Sequence, residues 1–279
     1  MNDVLTTPEG DVLGSGFGLS VDITVSFVFW SLVQLYFYVK PNLDSYKLPE
    51  KTEYDFRNRC VSFIHGLVAL SLSTYQVLFI PRVCGESTSP FVYWTLVNSG
   101  GYFLYDILGM KAFGLLDWDM LIHHCMCAGG IVGMLLSGSD ASCVVVGLFL
   151  AEVSNPPMHV RMMLRNLGKR YTLAYEYAEY CYFVMFFMGR LVWGQPIVYG
   201  IVMQCDSIHW IGKLVASGVQ LQSYQFLYRM YFIFRARLAE ASERSKNQVK
   251  IGFLTPISQD DLDKCQFYKK NKKTRELLP

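Results

Sequence analysis

Two adjacent histidines, His123 and His124, stand in the stretch Asp117-Trp-Asp-Met-Leu-Ile-His-His-Cys-Met-Cys127, directly before the apolar, glycine-rich run Ala128 to Leu136. Imidazole titrates nearest neutrality of all side chains, so such a pair can serve as general base, proton carrier or nucleophile once another group orients it. Asp119 lies one helical turn before His123, where its carboxylate can meet that ring. Neighbouring residues point about 100° apart around a helix axis. One histidine can then line a cavity while the other meets an adjoining helix. Ionisable groups within apolar helices cost about 3 kcal/mol or more in a bilayer and are functional candidates by default. The search is therefore for their partners, and the chain offers His65, Asp106, Glu152, Asn155 and His159.

The elements that must position these residues follow from composition. Of 279 residues, 52% are hydrophobic and 17% charged, which excludes an ordinary soluble domain and predicts an all-α, polytopic membrane helical bundle. Seven apolar runs are long enough to be transmembrane helices: Phe17–Val39, Cys60–Ile80, Phe91–Met110, Met120–Leu136, Ala141–Val160, Leu173–Met203 and Ser207–Ile233. The first sixteen residues contain no Lys or Arg and lack the basic region of a cleaved signal peptide, so the first run reads as a retained anchor. Twenty-two of the 25 Lys and Arg residues fall in alternate connecting segments, which orients the N-terminus to the lumen and the C-terminus to the cytosol. Arg82 alone lies on the opposite side, while Arg190 and Lys213 lie within spans.

Orientation fixes depth. His65, Asp106, His123, His124, Glu152, Asn155 and His159 all fall toward the cytosolic ends of their spans, so four of the five histidines share one level. Glu152, Asn155 and His159 recur at i, i+3 and i+7, one face of a helix. Pro156 and Pro157 remove two amide donors there and predict a kink, which a membrane helix tolerates where it lines a cavity.

Four signatures in order, Arg59-Cys-Val-Ser-Phe-Ile-His65, Ser99-Gly-Gly-Tyr-Phe-Leu-Tyr-Asp106, His123-His124 and Ala151-Glu-Val-Ser-Asn-Pro-Pro-Met-His-Val-Arg161, resemble the TLC-domain family. That family includes the ceramide synthases and the translocating-chain-associating membrane proteins. The resemblance divides the chain into an N-terminal region with the first helix (1–54), a TLC domain (55–240) and a basic tail (241–279). It implies that spans two to seven ring a central cavity in an internal membrane such as the endoplasmic reticulum. It further implies a role in lipid metabolism or lipid homeostasis, with acyl-CoA-dependent acylation at the paired histidines in the ceramide synthases. Their motif continues to two aspartates where this chain has Glu152 and Asn155. The chain therefore looks closer to TLC-domain proteins of unassigned activity.

On this reading His123, His124, Asp106 and Asp119 are the catalytic candidates, and His65, Glu152, Asn155 and His159 the substrate-binding ones. The expected partners are a membrane lipid or acyl-CoA, the latter as co-substrate. No bound cofactor, metal or nucleic acid is expected, and self-association is left open. A non-catalytic lipid binder or regulator is the main alternative, and a proton-coupled transporter a third class. Arg190 shares a stripe with Glu176 and Glu179, the compromise expected of a membrane arginine. Gly129, Gly130 and Gly133 suit close helix approach. Lys213, Ser217, Gln220 and Tyr224 share a face that points inward, and Cys84 and Cys205 fall in lumenal loops where they can be bonded or free. The cluster Lys269–Arg275 is suited to an anionic membrane surface or to a solvated tail.

Overall fold

The computed structural model describes residues 16–265, so the first fifteen residues and the basic cluster Lys269–Arg275 lie outside the described residues. All regular elements among the described residues are helical: α1 (Gly16–Val39), α2 (Glu50–Phe79), α3 (Pro90–Ala112), α4 (Trp118–Ser137), α5 (Ser142–Glu152), α6 (Asn155–Asn166), α7 (Leu173–Phe187), α8 (Gly194–Val198) and α9 (Trp210–Lys246), with a short α10 (Gln259–Asp263) beyond them. Five segments are long and apolar enough to cross a membrane: α1, α2, α4, the α5–α6 pair and the run from Leu173 to Met203. Helices α3 and α9 have the length, but their composition is more polar. Both carry side chains that the fold turns to neighbouring helices: Ser99 and Asp106 on α3, Gln222 and Ser223 on α9, all buried.

Helix ends follow local chemistry. Asp117 caps α4 by accepting the Met120 amide at 2.8 Å, and Gly138, at φ +72°, ends it in the left-handed conformation that glycine adopts freely. Ser89 caps α3, where Pro90 occupies the first turn and needs no amide partner. Pro156 and Pro157 split one apolar run into α5 and α6. The Leu173–Met203 run is also broken, by π-helical turns at Met188–Val192 and Tyr199–Met203. Pro196 accounts for the first, because its ring crowds the carbonyl four residues back at Val192. The Trp193 amide bonds instead to Met188 at 2.8 Å.

Helix α1 lies against α3 and α2, α2 against α5 and α6, and α4 against α3 and α9. The α1–α3 seam depends on Gly101, since a Cβ there would fall 2.3 Å from Ser26 Oγ and 2.6 Å from the Phe27 nitrogen. Beside it Trp30 is buried and donates from Nε1 to the Asn98 carbonyl at 3.2 Å.

The two ends of the bundle differ. At one, Cys84 and Cys205 are joined by a disulfide with Cα atoms 5.6 Å apart. Buried Asp140 organises the loops around it, accepting the Gly85 amide at 2.8 Å and the Ser207 hydroxyl at 2.5 Å, with Arg82 at 3.5 Å. Of the two possibilities open in sequence, bonded or free, the structure has the bond.

The opposite end is rich in arginine. Glu179 is 2% exposed and is shared by Arg161 at 2.8 Å and Arg237 at 2.7 Å, while Glu240 takes Arg237 and Arg170, and Glu176 takes Arg244. The chain after α9 folds back over this end, its Gly252 and Phe253 carbonyls accepting the Leu173 and Ala174 amides. Arg190 therefore does not pair with Glu176 or Glu179, as the shared stripe suggested. The π turn displaces it from their line, and closer arginines take both carboxylates.

Candidate functional site

A cavity of about 610 Å³ runs inside the bundle, lined by residues from α2 through α9. Along α4 it extends from Met120 to Ser137, nearly the whole helix. Toward the disulfide end its wall is apolar over Met134, Ile197, Val198, Ile201 and Val202, and it closes on the polar Ser137, Ser139, Asp140, Ser207 and His209. Toward the arginine-rich end the wall carries His65, Asp106, His123, His124, Glu152, Asn155 and His159. Seven of the eight candidate residues thus border one space.

His124 is buried, and its Nε2 faces Asp106 Oδ2 at 3.5 Å. Asp106 is held in turn: Asn58 Nδ2 donates to its Oδ1 at 2.8 Å, and the Tyr105 hydroxyl donates to Asn58 Oδ1 at 2.6 Å. The side-chain amide of Gln34, on α1, lies 2.9 Å from the same hydroxyl. A phenol has one proton, and the Gln34 nitrogen has no other partner. Turning that amide so its N–H meets the Tyr105 oxygen gives a continuous chain from Gln34 through Tyr105, Asn58 and Asp106 to His124, with the amide orientation assigned from the network. A proton on Nε2, toward the carboxylate, leaves the Nδ1 lone pair of His124 free, and that atom has no hydrogen-bond partner among the described residues.

His123 points elsewhere, as adjacent helical residues must. Its Nδ1 lies 3.0 Å from Gln222 Oε1 on α9, and its Nε2 is 3.7 Å from Cys127 Sγ one turn on. Gln222 also donates to the Asp119 carbonyl at 2.6 Å. The Asp119 carboxylate does not reach His123. It pairs with half-exposed Arg229 at 2.5 Å, because the first turn of α4 sits at the bundle edge and Arg229 stands opposite on α9. Asp119 accordingly lies apart from the residues that border the cavity, at the α4–α9 boundary.

Across the cavity, Glu152 is 3% exposed and accepts from Asn155 Nδ2 at 2.9 Å, an interaction that spans the break between α5 and α6. Gly66 of α2 lets this carboxylate approach, since a Cβ there would lie 3.2 Å from Glu152 Oε2. His159 is buried with Nδ1 unpartnered. His65 is fixed by packing: its ring stacks on Tyr102 at 3.7 Å, Trp30 of α1 meets it edge-on at 5.3 Å, and Nε2 lies 3.3 Å from Ser99 Oγ.

Other expectations change. Gly129 and Gly133 border open space rather than a helix, and only Gly130 has a neighbour, Val215, at 3.5 Å from a would-be Cβ. These glycines widen the cavity. On α9, Ser217 and Tyr224 are exposed, while Gly212, Val215, Val219, Gln222 and Phe226 line the cavity with Gln220. Gly218 faces α4, where the Met126 Sδ lies 2.9 Å from where a Cβ would stand. Asn58 stands four residues before Ser62 and seven before His65, a polar stripe on α2 that the sequence displays. Gln34 gives no comparable signal.

The sequence model of the TLC domain matches residues 55–235. Proteins named TLC domain-containing protein 1 are similar to this chain. The one from Gallus gallus is 28% identical over 52% of this chain and 58% of its own length, and the one from Homo sapiens 30% identical over 49% and 57%. The chain thus spans under two thirds of these two relatives. The one from Mus musculus is 28% identical over 72% of this chain and 82% of its own.

Proposed function

Because the chain belongs to the TLC-domain family of integral membrane proteins, we propose that it acts in lipid metabolism by holding a long-chain lipid in the cavity and carrying out acyl transfer at His124. The observation that carries this reading is the polarity of the cavity. Apolar walls toward the disulfide end suit a hydrocarbon chain, and the His124–Asp106 pair stands where its head would lie.

In this reading spans two to seven, including the more polar α3 and α9, form a ring of six around the cavity, with α1 as a seventh span outside it. The disulfide end is lumenal, as an oxidising compartment favours, and the arginine-rich end is cytosolic, in the endoplasmic reticulum or another internal membrane. Acyl-CoA enters from the cytosolic side. His124 Nδ1 takes the proton of an amine or hydroxyl acceptor as that group attacks the thioester carbonyl. Asp106 keeps the opposite nitrogen protonated and stabilises the imidazolium. The carbon–sulfur bond then breaks, the proton passes to the thiolate, and acylated lipid and free CoA leave. Asn58, Tyr105 and Gln34 hold Asp106 in register.

A second reading, lipid binding without turnover, is favoured by one feature. Asn155, which cannot ionise, holds the Glu152 carboxylate, leaving this wall without a free second carboxylate. Purified protein supplied with acyl-CoA and long-chain amine or alcohol acceptors separates the two. Acyl transfer lost in His124→Ala supports the enzyme, whereas lipid retention without CoA release in wild type supports the binder.

A further inference from the structure

Arg190 lines the cavity at mid-bundle, on the π turn that follows α7. A guanidinium has five N–H donors and cannot discharge by losing its proton. Here Nη1 makes one long contact, 3.4 Å to Ser223 Oγ, and the buried Nε has no hydrogen-bond partner among the described residues. Among the described residues no carboxylate lies within ion-pairing distance; Glu152 is near enough to feel its charge but accepts its hydrogen bond from Asn155, and the Phe186 ring lies 5.6 Å from the guanidinium carbon. The contrast is with Arg161 and Arg237, which share Glu179. Intramembrane arginines persist when paired or facing a substrate path, so one on a cavity wall whose donors bond no carboxylate has room for an anion.

The residue is also built into place. Gln220 donates to the Arg190 carbonyl at 2.8 Å. Gly189 lets the turn press on α5, where a Cβ would stand 2.9 Å from the Leu150 carbonyl. Beyond this level the apolar cavity continues to Ser137, about ten residues of α4 past Cys127, or roughly 15 Å. We propose that Arg190 is the binding site for the carboxylate of a long-chain fatty acid, held with its chain in the apolar half toward the disulfide end. The planar guanidinium matches a carboxylate through two parallel N–H donors, and a chain-bearing carboxylate supplies the missing charge and fills the apolar space together. This assignment rests on the lipid-cavity reading and makes a fatty acid a ligand of the apolar half, occupying it when no acylation acceptor is bound.

The test is competition for tritiated palmitate on the purified full chain in nanodiscs. Unlabelled palmitate should displace the label at least about tenfold more effectively than methyl palmitate, the scale of one hydrogen-bonded charge. In Arg190→Gln the two competitors should become equal, and Arg190→Lys should keep a preference for the acid. Equal competition in wild type overturns the proposal without reference to any variant, as does a preference that survives in Arg190→Gln. Lysophosphatidate displacing the label better than palmitate would assign the site to a phosphate and contradict the carboxylate. A wild type that retains other lipids but no palmitate overturns this inference alone. One that retains no lipid of any kind takes the cavity reading with it.

Discussion

His124 and His123 are adjacent in sequence but differ in chemistry because their partners differ. His124 has a carboxylate on one nitrogen and nothing on the other, whereas His123 has a neutral amide and a thiol. On the proposed mechanism His124→Ala should abolish turnover, and Asp106→Asn should lower it by about 10²-fold or more through loss of orientation and charge, the scale of positioned acid–base groups. Both are read as CoA release at unchanged protein abundance. Equal loss on His123→Ala and none on His124→Ala would reverse the assignment. Asn155→Asp restores a second carboxylate beside Glu152, and a gain of long-chain amine acylation is the expected result. Residue identity made much of this legible. The sequence reading puts His65, His124, Glu152 and His159 at one level of their spans, and all four line the cavity. What a residue touches was less accessible. Asp119 lies one turn from His123 yet pairs with Arg229, a residue 110 positions away.

Helices place these side chains through a few local devices. The proline break was readable, because missing amides act within one turn. The rotation of α9 was not, since it shows in contacts between distant segments, among them the bonds of Gln222 to His123 and to the Asp119 carbonyl. The same holds for Gly129 and Gly133: glycine in a membrane helix signals either close packing or open space, and only the neighbours decide. Gly133→Phe should therefore fill the cavity and reduce lipid retention while leaving the fold intact, as the helix gains by losing a glycine. A comparable drop in thermal stability would show that the position packs against another helix. Glu179→Ala should behave in the opposite way. It strands Arg161 in a buried site, while Arg237 keeps Glu240, at a cost of about 3–5 kcal/mol, read as a lower unfolding midpoint in detergent. An unchanged midpoint would mean that water reaches that network.

For the molecule as a whole, the disulfide joins the α2–α3 connection to the segment before α9 and closes one end of the bundle, while ion pairs close the other. Alkylation of denatured, unreduced protein should modify six of its eight cysteines, and modification of all eight would contradict the bond. The proposed topology adds that residues 41–56 label from the cytosol and residues 83–89 from the lumen. Labelling of the Lys169 loop from the lumen would invert it. Helix α1 carries a lesson about domain limits. The family match begins at residue 55, yet Trp30 buttresses His65 and Gln34 joins the chain to Asp106. Sequence resemblance could not assign α1 to the site, because those contacts cross its boundary. The central claim is that the cavity holds a lipid chain with His124 at its polar end. Native mass spectrometry of the purified protein tests it most directly. Wild type and His124→Ala should both carry a bound acyl-chain lipid, and acyl-CoA added with a long-chain amine or alcohol should yield acylated lipid in wild type only; protein bare of lipid in both forms would contradict the account.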